Sequence, residues 1–394
     1  MANKKKYLLY LCLFVSLSFN GLVMIFDTIP YALPKIEKRY FPPKTLQISH
    51  ETTGIKEELL IVNSAITMAK SRRSITVWNE PQGFTQEIVK HLRSKNIDEF
   101  RTNNYPQAFL YYGLTELASK KNNRALLDEI KISFDTHVNF KAEIKRIDQV
   151  PLGLAALNLY EAYGEKKYLS FSESLYKFIE QQTEEDGLIS YRKGQSSVFT
   201  DTLGLVVPFL LKYDNYTEND TKLLAIKQIN YFVKHGISSE TFIPSHLVIR
   251  SNGIQAGSIN WGRGIGWYAI ALALTHKETN EFKDEYYGLL QSLEELKNTE
   301  NLWGQFPGTN DRFDASASTM FIYSKMINDS SLTRNDILKL FKNYISEDGI
   351  ILETSGDTYA ANNYSKTFGK SELSQGLLLL ILSEAKENKA IEKK

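Results

Sequence analysis

Cysteine is nearly absent from this chain of 394 residues. Its single thiol, Cys12, lies in an apolar N-terminal stretch, so the rest of the chain contains neither disulfides nor cysteine metal sites. Histidine is also scarce, and the six histidines form no pair at the spacing of a zinc motif. The composition therefore excludes a disulfide scaffold and argues against a structural zinc site.

An excess of charge of either sign is missing as well. The chain carries 47 basic and 46 acidic residues, a net charge of +1, and it has no basic stripe with interleaved aromatic residues. We therefore expect no nucleic-acid partner. Hydrophobic residues make up 42% and charged residues 24%, which is typical of a globular protein.

Charged residues are missing from Tyr7 to Phe26, directly after three lysines at positions 4–6. About 20 apolar residues are enough to cross a bilayer, and lysines beside such a segment favour the cytoplasmic side. No small-residue cleavage site follows the segment. We therefore predict a single-pass transmembrane anchor at 1–26, in the cell membrane, with the rest of the chain outside the cytoplasm. A cleaved signal peptide and a secreted protein are the alternative.

Prolines are concentrated between residues 27 and 54, which predicts an extended linker. These prolines are Pro30, Pro34, Pro42 and Pro43. The globular domain is expected at 55–394, and its sequence contains almost no alternating strand pattern. Short apolar helices, such as 203–211, alternate with amphipathic ones, such as 172–180. Because the first kind needs burial on all sides and the second kind only on one, the pattern predicts an inner ring of helices inside an outer ring. The expected fold class is all-α, an (α/α)6 barrel of six helical hairpins.

The loops of this domain alternate in length. Long loops, at 184–202, 236–264, 298–315 and 345–372, all lead into the N-terminal ends of apolar helices. Long loops inside a compact domain are usually functional. We therefore expect these four loops to gather on one rim of the toroid, with strand-like fragments such as 188–191 forming small hairpins there.

Four charged residues lie immediately before successive inner helices: Asp148, Asp201, Arg263 and Asp314. In a closed ring these positions converge on the axis. Aspartate is also a favoured helix N-cap, and capping is the better interpretation of Asp314. For Asp148 and Asp201 capping and catalysis both stay open, since neighbouring carboxylates can keep one carboxyl protonated, as a general acid requires.

The long loops contain further candidates. His246 fits either a structural or a functional role, because its ring titrates near neutral pH. Tyr364, Lys366 and Lys370 lie in the loop before the last inner helix and belong to the same rim.

The stretch 260–270 combines two tryptophans, one arginine and three glycines. Trp261 and Trp267 have flat apolar faces on which a sugar can stack, and Arg263 has a planar fork that suits a carboxylate. This composition indicates a sugar site. A glycine-rich turn with core tryptophans is the alternative.

Four segments resemble glycoside hydrolase families 88 and 105, the unsaturated glucuronyl and rhamnogalacturonyl hydrolases. The stretch 261–267 is most similar to the family pattern, followed by 201–210 and, more weakly, 148–153 and 316–320. The four motifs occur in the family's order, and the resemblance covers roughly 105–382. It implies an (α/α)6 barrel acting on oligosaccharides that end in a 4,5-unsaturated uronic acid, without a metal or cofactor.

The resemblance also implies roles for individual residues. Asp201 would protonate C4 of the unsaturated sugar and activate the water that adds at C5, with no covalent intermediate. Asp148 would assist Asp201. The positions that match the family's sugar-binding residues are His246, Trp261, Arg263 and Trp267.

Three positions depart from the family pattern: Ile265, Gln149 and Gly204. Together with the predicted anchor, they leave room for an enzyme that trims a surface polysaccharide. Two other functions also remain open. One is a conventional inverting glycosidase that uses Asp148 and Asp201, and the other is a non-catalytic polysaccharide-binding or assembly protein on the same barrel.

Overall fold

The structure is a computed structural model, and it describes residues 2–25, 40, 44–46, 54–71, 104–309, 312–358 and 360–386. Most of the predicted linker at 27–54 lies outside these residues. The chain divides into two compact units, of which the first comprises 1–44 with 78–100 and the second 45–77 with 101–394.

The first unit contains helix α1, Ala2–Val23. Within the described residues, its segment Lys5–Val23 is long and apolar enough to cross a membrane. A signal sequence near an N-terminus has the same length and composition, so this helix agrees with both of the predicted alternatives.

The second unit is built from two sets of helices. Six helices of the described chain form the inner set: α3 (Tyr105–Lys120), α5 (Leu152–Tyr163), α7 (Thr200–Tyr213), α9 (Gly262–Thr279), α11 (Ala315–Asn328) and α13 (Glu372–Glu384). The six that alternate with them are α2 (Ile55–Lys70), α4 (Arg124–His137), α6 (Lys166–Gln182), α8 (Thr221–His235), α10 (Lys283–Glu295) and α12 (Arg334–Phe341).

The two sets differ in burial, as their sequence patterns predict. In α13 every residue from Glu372 to Leu382 is buried. In α6 the large buried side chains recur at the spacing of one helix face, at Tyr168, Phe171, Leu175 and Phe178. Inner helices are therefore surrounded by protein, and outer helices keep one face in water.

Each inner helix packs against the next, and α13 packs against α3. The contact that joins the last helix to the first depends on two glycines, Gly113 and Gly376. A Cβ on either residue would collide with the backbone of the facing helix, so only glycine permits this approach. The predicted helical toroid is confirmed.

Small sheets lie where the long loops meet. One sheet consists of β1 (Ser197–Phe199), β2 (Leu247–Ile249) and β3 (Gln255–Ala256), all antiparallel. The other consists of β4 (Thr354–Ser355) and β5 (Phe368–Gly369). The hairpin expected at 188–191 is reduced to a single bridge between Thr183 and Ile189.

Two inner helices begin earlier than the apolar pattern suggests. Helix α9 starts at Gly262 and α7 at Thr200. Arg263 and Asp201 therefore belong to first helical turns, whereas the sequence places them just before the helices. Asp314 is the N-cap of α11, as expected, and its side chain accepts a hydrogen bond from the Ser316 amide.

Candidate active site

Asp201 and His246 meet at the N-terminal end of α7. The Oδ2 atom of Asp201 lies 3.1 Å from Nε2 of His246. Pairing between β1 and β2 brings them together, because β1 runs into α7 and His246 directly precedes β2. The Thr200 amide donates to the His246 carbonyl oxygen over 3.1 Å, which fixes the two segments to each other. His246 is buried, whereas 22% of the Asp201 side chain is exposed.

Asp148 is the second carboxyl of the site and lies in a single 3-10 turn, Ile147–Gln149, before α5. The Tyr191 hydroxyl donates to its Oδ1 atom over 2.7 Å. Burial raises the pKa of Asp148, and the nearby charge of Asp201 raises it further, while Tyr191 and Arg146 act in the opposite direction. Asp148 therefore holds a proton at higher pH than an ordinary aspartate.

Aromatic side chains form one wall beside this pair. The Trp261 ring centroid lies 4.4 Å from that of His246 and 5.3 Å from that of Tyr364. The Tyr364 hydroxyl donates to the Ala361 carbonyl oxygen and accepts from the Ser258 amide. Trp261 thus contacts both His246 and Tyr364. Trp261 and Tyr364 are both residues that the sequence predicts on the rim.

The two lysines predicted on the same loop behave differently. Lys366 and Lys370 are both exposed. They give no contact with the Asp201–His246 pair among the described hydrogen bonds and ion pairs.

Arg263 lies in the first turn of α9 and is buried. Its Nε donates to Ser316 Oγ over 3.1 Å, and its Nη2 donates to both oxygens of Ser355. Asp314 accepts hydrogen bonds from the hydroxyls of the same two serines. The guanidinium is therefore held by internal acceptors, and a direct contact of Arg263 with substrate stays a prediction.

Trp267 lies one turn further along α9 and is almost fully buried. Its ring centroid is 5.7 Å from that of Tyr105 and 5.2 Å from that of Phe109, both on α3. Trp267 therefore belongs to the packing between inner helices beneath the rim, and its role as a sugar contact stays a prediction.

Two of the three positions that depart from the family pattern, Gly204 and Gln149, have local explanations. A Cβ on Gly204 would collide with the Trp267 side chain and Cα atom, so the close packing of α7 against α9 requires glycine there. Ile265 is buried among the inner helices. The side-chain oxygen of Gln149 accepts from the Lys145 amide over 2.9 Å, which supports the turn that carries Asp148.

A third carboxyl, Asp357, escapes sequence reasoning. It lies two residues after β4, in the long loop at 345–372 whose other polar residues attract attention first. The Tyr105 hydroxyl donates to its Oδ1 atom over 2.6 Å, and Arg263 Nη1 lies 3.7 Å from the same oxygen. In the sequence, the only feature that points to Asp357 is its position in a loop that leads to the rim.

Burial raises the pKa of Asp357 to about 7, against the lowering effects of Arg263 and Tyr105. The negative charges of Asp148 and Asp201 raise it further. These long-range effects link Asp357 to the other two carboxyls in one electrostatic cluster. The site thus combines the contact between Asp201 and His246 with two carboxyls whose pKa is raised by burial, which is a suitable arrangement for general acid–base chemistry. Within the described residues, no group of three or more His, Cys, Asp or Glu side chains is arranged to hold a metal ion.

Comparison with known proteins connects this chain to carbohydrate chemistry. The model of Glycosyl Hydrolase Family 88 matches residues 82–387. Among solved structures, a possible member of the GH105 family from Klebsiella pneumoniae is 16% identical, with a TM-score of 0.69 over 86% of this chain and 95% of that one. An unsaturated glucuronyl hydrolase specific for heparin is 14% identical, with a TM-score of 0.63 over 84% of this chain and 96% of that one.

The same architecture also occurs with another substrate. The GH76A alpha-1,6-mannanase from Salegentibacter sp. HEL1_6 is 13% identical, with a TM-score of 0.58 over 84% of this chain and 99% of that one. Structural similarity at such identities shows a shared fold, and a shared fold does not specify a substrate.

Proposed function

The chain belongs to glycosyl hydrolase family 88, and we propose that it removes a 4,5-unsaturated uronic acid from the end of a polysaccharide-derived oligosaccharide. It is a glycoside hydrolase by family membership. The observation that carries the proposed reaction is the Asp201–His246 contact of 3.1 Å beside the buried Asp148. In this arrangement the partly exposed carboxyl of Asp201 works next to the carboxyl of Asp148, whose pKa is raised.

In this proposal Asp201 carries out the proton transfers. Its carboxyl gives a proton to C4 of the vinyl ether, and the resulting carboxylate takes a proton from the water that adds at C5. Water is thereby added across the double bond, and the hemiketal at C5 then collapses and releases the remaining sugar. No glycosyl–enzyme bond forms, so one acid/base group is sufficient.

The neighbours of Asp201 support this role. His246 contacts Asp201 from the sheet side and orients its carboxyl. Asp148 remains protonated to higher pH and limits the repulsion that a second carboxylate would cause. Tyr191 fixes Asp148 through its hydroxyl.

The proposed sugar pocket includes all four residues that match the family's binding positions. His246 and Trp261 contribute to the wall directly, since they contact each other beside Asp201. Arg263 and Trp267 lie deeper. Arg263 holds the loop at Ser355 and Trp267 supports Tyr105, so both shape the pocket from behind.

The proposed function is tested by following the ultraviolet absorbance of the conjugated double bond in lyase-generated disaccharides. This absorbance is lost when the enzyme acts. We expect turnover by the wild type and a decrease of about 10²–10⁴-fold in kcat for Asp201→Asn, the usual range for removing a general acid or base. Asp214→Asn is the matched control. Asp214 lies at the opposite end of α7, where it accepts from the Lys222 amide and the Thr221 hydroxyl.

Three results would contradict the proposal. Wild-type protein that leaves the absorbance of every unsaturated uronide unchanged would exclude the reaction. Hydrolysis of saturated oligosaccharides by the same preparation, dependent on both Asp148 and Asp201, would instead identify a conventional inverting glycosidase. Glycan binding without turnover of either kind would identify a binding protein.

We also propose that α1 anchors the enzyme in the cell membrane with the catalytic domain outside the cytoplasm. The apolar segment Lys5–Val23 and the lysines at positions 4–6, at its start, support this topology. Protease added to intact cells should digest the catalytic domain, and the full-length chain should stay with the membrane after an alkaline wash. Release of a shortened chain into the medium would identify a signal peptide.

A further inference from the structure

Among the described residues, the carboxyl groups of the candidate site outnumber the arginines that act on them. Asp148, Asp201 and Asp357 influence one another electrostatically, as the effects of the first two on the pKa of Asp357 show. Two arginines act on these carboxyls, the buried Arg263 beside Asp357 and Arg146 beside Asp148. Two guanidinium groups cannot neutralise three carboxylates, so the number of protons that these groups retain determines the charge of the site.

Arg263 has another counter-charge in addition to Asp357. Asp314 is fully buried and accepts from the same hydroxyls of Ser316 and Ser355 that receive hydrogen bonds from Arg263. The two buried charges therefore compensate each other through two shared serines. Asp357 is a further carboxyl outside this pair of Arg263 and Asp314.

The contacts of Asp357 also separate it from the pair of Arg263 and Asp314. Its distance of 3.7 Å from Arg263 Nη1 is too long for a hydrogen bond. Its short partner is the neutral Tyr105 hydroxyl at 2.6 Å. About a quarter of the side chain, 23%, is exposed, so a bound ligand can reach it.

Five charged or titratable groups interact electrostatically with Asp357. Arg263 approaches it from α9 and Tyr105 from α3. Asp148 acts on it from the turn before α5, Asp201 from the start of α7 and Tyr191 from the loop before β1. The arginine and the hydroxyl favour ionisation of Asp357. Burial and the two carboxylates oppose ionisation and prevail, which leaves its pKa at about 7.

We propose that Asp357 is a specificity residue that admits the carboxylate of an anionic sugar only while its own carboxyl is protonated. This inference rests on the proposed function, which gives the substrate a carboxylate next to the reacting double bond. A protonated Asp357 can donate its hydrogen to that carboxylate. An ionised Asp357 adds a negative charge and repels it. Binding of an anionic sugar is therefore coupled to retention of one proton.

The test compares an unsaturated disaccharide that has a free carboxylate with its methyl ester. For wild-type protein, KM for the acid should rise by up to about tenfold for each pH unit above about 7, the limit for one coupled proton. In Asp357→Asn that rise should disappear, because the amide donates at every pH. KM for the ester should lack this rise in both proteins.

Asp128→Asn is the matched control, since Asp128 also accepts from a tyrosine hydroxyl over 2.6 Å, from Tyr163, and lies 3.6 Å from an arginine nitrogen, Arg124 Nε. It is located on helix α4, away from the rim. This variant should keep the wild-type dependence of KM on pH.

The outcomes separate this inference from the proposed function. Absence of turnover on any unsaturated uronide overturns the proposed function and the inference with it. Turnover with an equal pH dependence of KM in wild type and Asp357→Asn overturns the role of Asp357 alone. Where Asp357→Asn does not fold, the wild type still decides, because equal pH dependence for the acid and the ester also overturns the inference.

Discussion

Two clusters of the same three residue types occur in different surroundings. In each, a tyrosine hydroxyl donates to Asp Oδ1 over 2.6 Å, and an arginine nitrogen lies within 3.6–3.7 Å of the same oxygen. The inner cluster consists of Tyr105, Asp357 and Arg263, and the outer cluster of Tyr163, Asp128 and Arg124. In the outer cluster the arginine and aspartate side chains are 56% and 57% exposed, whereas in the inner cluster the values are 4% and 23%.

The difference shows that surroundings, more than contacts, determine what such a cluster does. In water the attraction between charges is screened, and an exposed ion pair contributes little to stability. Within the toroid, burial raises the pKa of Asp357 to about 7 and raises that of Tyr105 well above its ordinary value. Burial therefore converts an ordinary surface motif into one that titrates near neutral pH.

The largest expected contrast is in the free energy of unfolding after loss of the arginine. Arg263→Met should cost about 3–5 kcal/mol, because it leaves buried acceptors without their cation. Arg124→Met should cost less than about 1 kcal/mol, the usual limit for an exposed ion pair. Urea denaturation of both variants measures the difference. Equal losses would mean that the inner cluster is as well solvated as the outer one.

The next contrast concerns how stability depends on pH. An ordinary aspartate has a pKa of about 3.9, and that of Asp357 is raised to about 7. Between these values the folded state binds more protons than the unfolded chain, so wild-type stability falls as pH rises through this window. The loss contributed by Asp357 is complete above about pH 7 and amounts to at most about 4 kcal/mol.

Asp357→Asn removes this contribution. Its stability relative to the wild type should therefore increase as pH rises from about 4 to about 7. Urea midpoints measured across this range provide the comparison, with Asp128→Asn as the control. A constant difference between wild type and Asp357→Asn would show that Asp357 is ionised throughout.

The smallest contrast is expected for the tyrosines. Tyr105→Phe deprives a largely buried carboxyl of its donor and should cost about 1–3 kcal/mol. Tyr163→Phe affects an exposed carboxyl that water can solvate, and it should cost less than about 0.5 kcal/mol. Thermal denaturation of the two variants at one pH tests this order. A reversed order would contradict the importance of burial.

Much of the fold was predictable because it depends on local pattern. The alternation of apolar and amphipathic segments has a direct physical meaning, and the helices occur where that pattern places them. Asp148, Asp201 and His246 were predicted from their positions at the starts of inner helices or in the long loops, and the structure groups them. The four long loops were expected at one rim because each of them leads into the N-terminal end of an inner helix.

The inner cluster was not predictable in this way. Its members lie on two inner helices and in an irregular loop, so no periodic pattern connects Tyr105 with Asp357. The orientation of Arg263 depends on where α9 begins, and the glycines at its start hide that boundary from a pattern of apolar residues. Its partners Ser316 and Ser355 come from distant segments, and they turn its guanidinium towards internal acceptors.

The contact between Gly113 and Gly376 has a consequence for how the protein acquires its shape. The first inner helix finds this partner only in the last one, so the ring cannot close until α13 has left the ribosome. Until then the face of α3 that packs against α13 has no cover. Contacts so distant in sequence form slowly, and exposed apolar surface on a partly folded chain favours aggregation. We therefore expect a chain that stops before α13 to need a chaperone, even though it contains Asp148, Asp201 and His246.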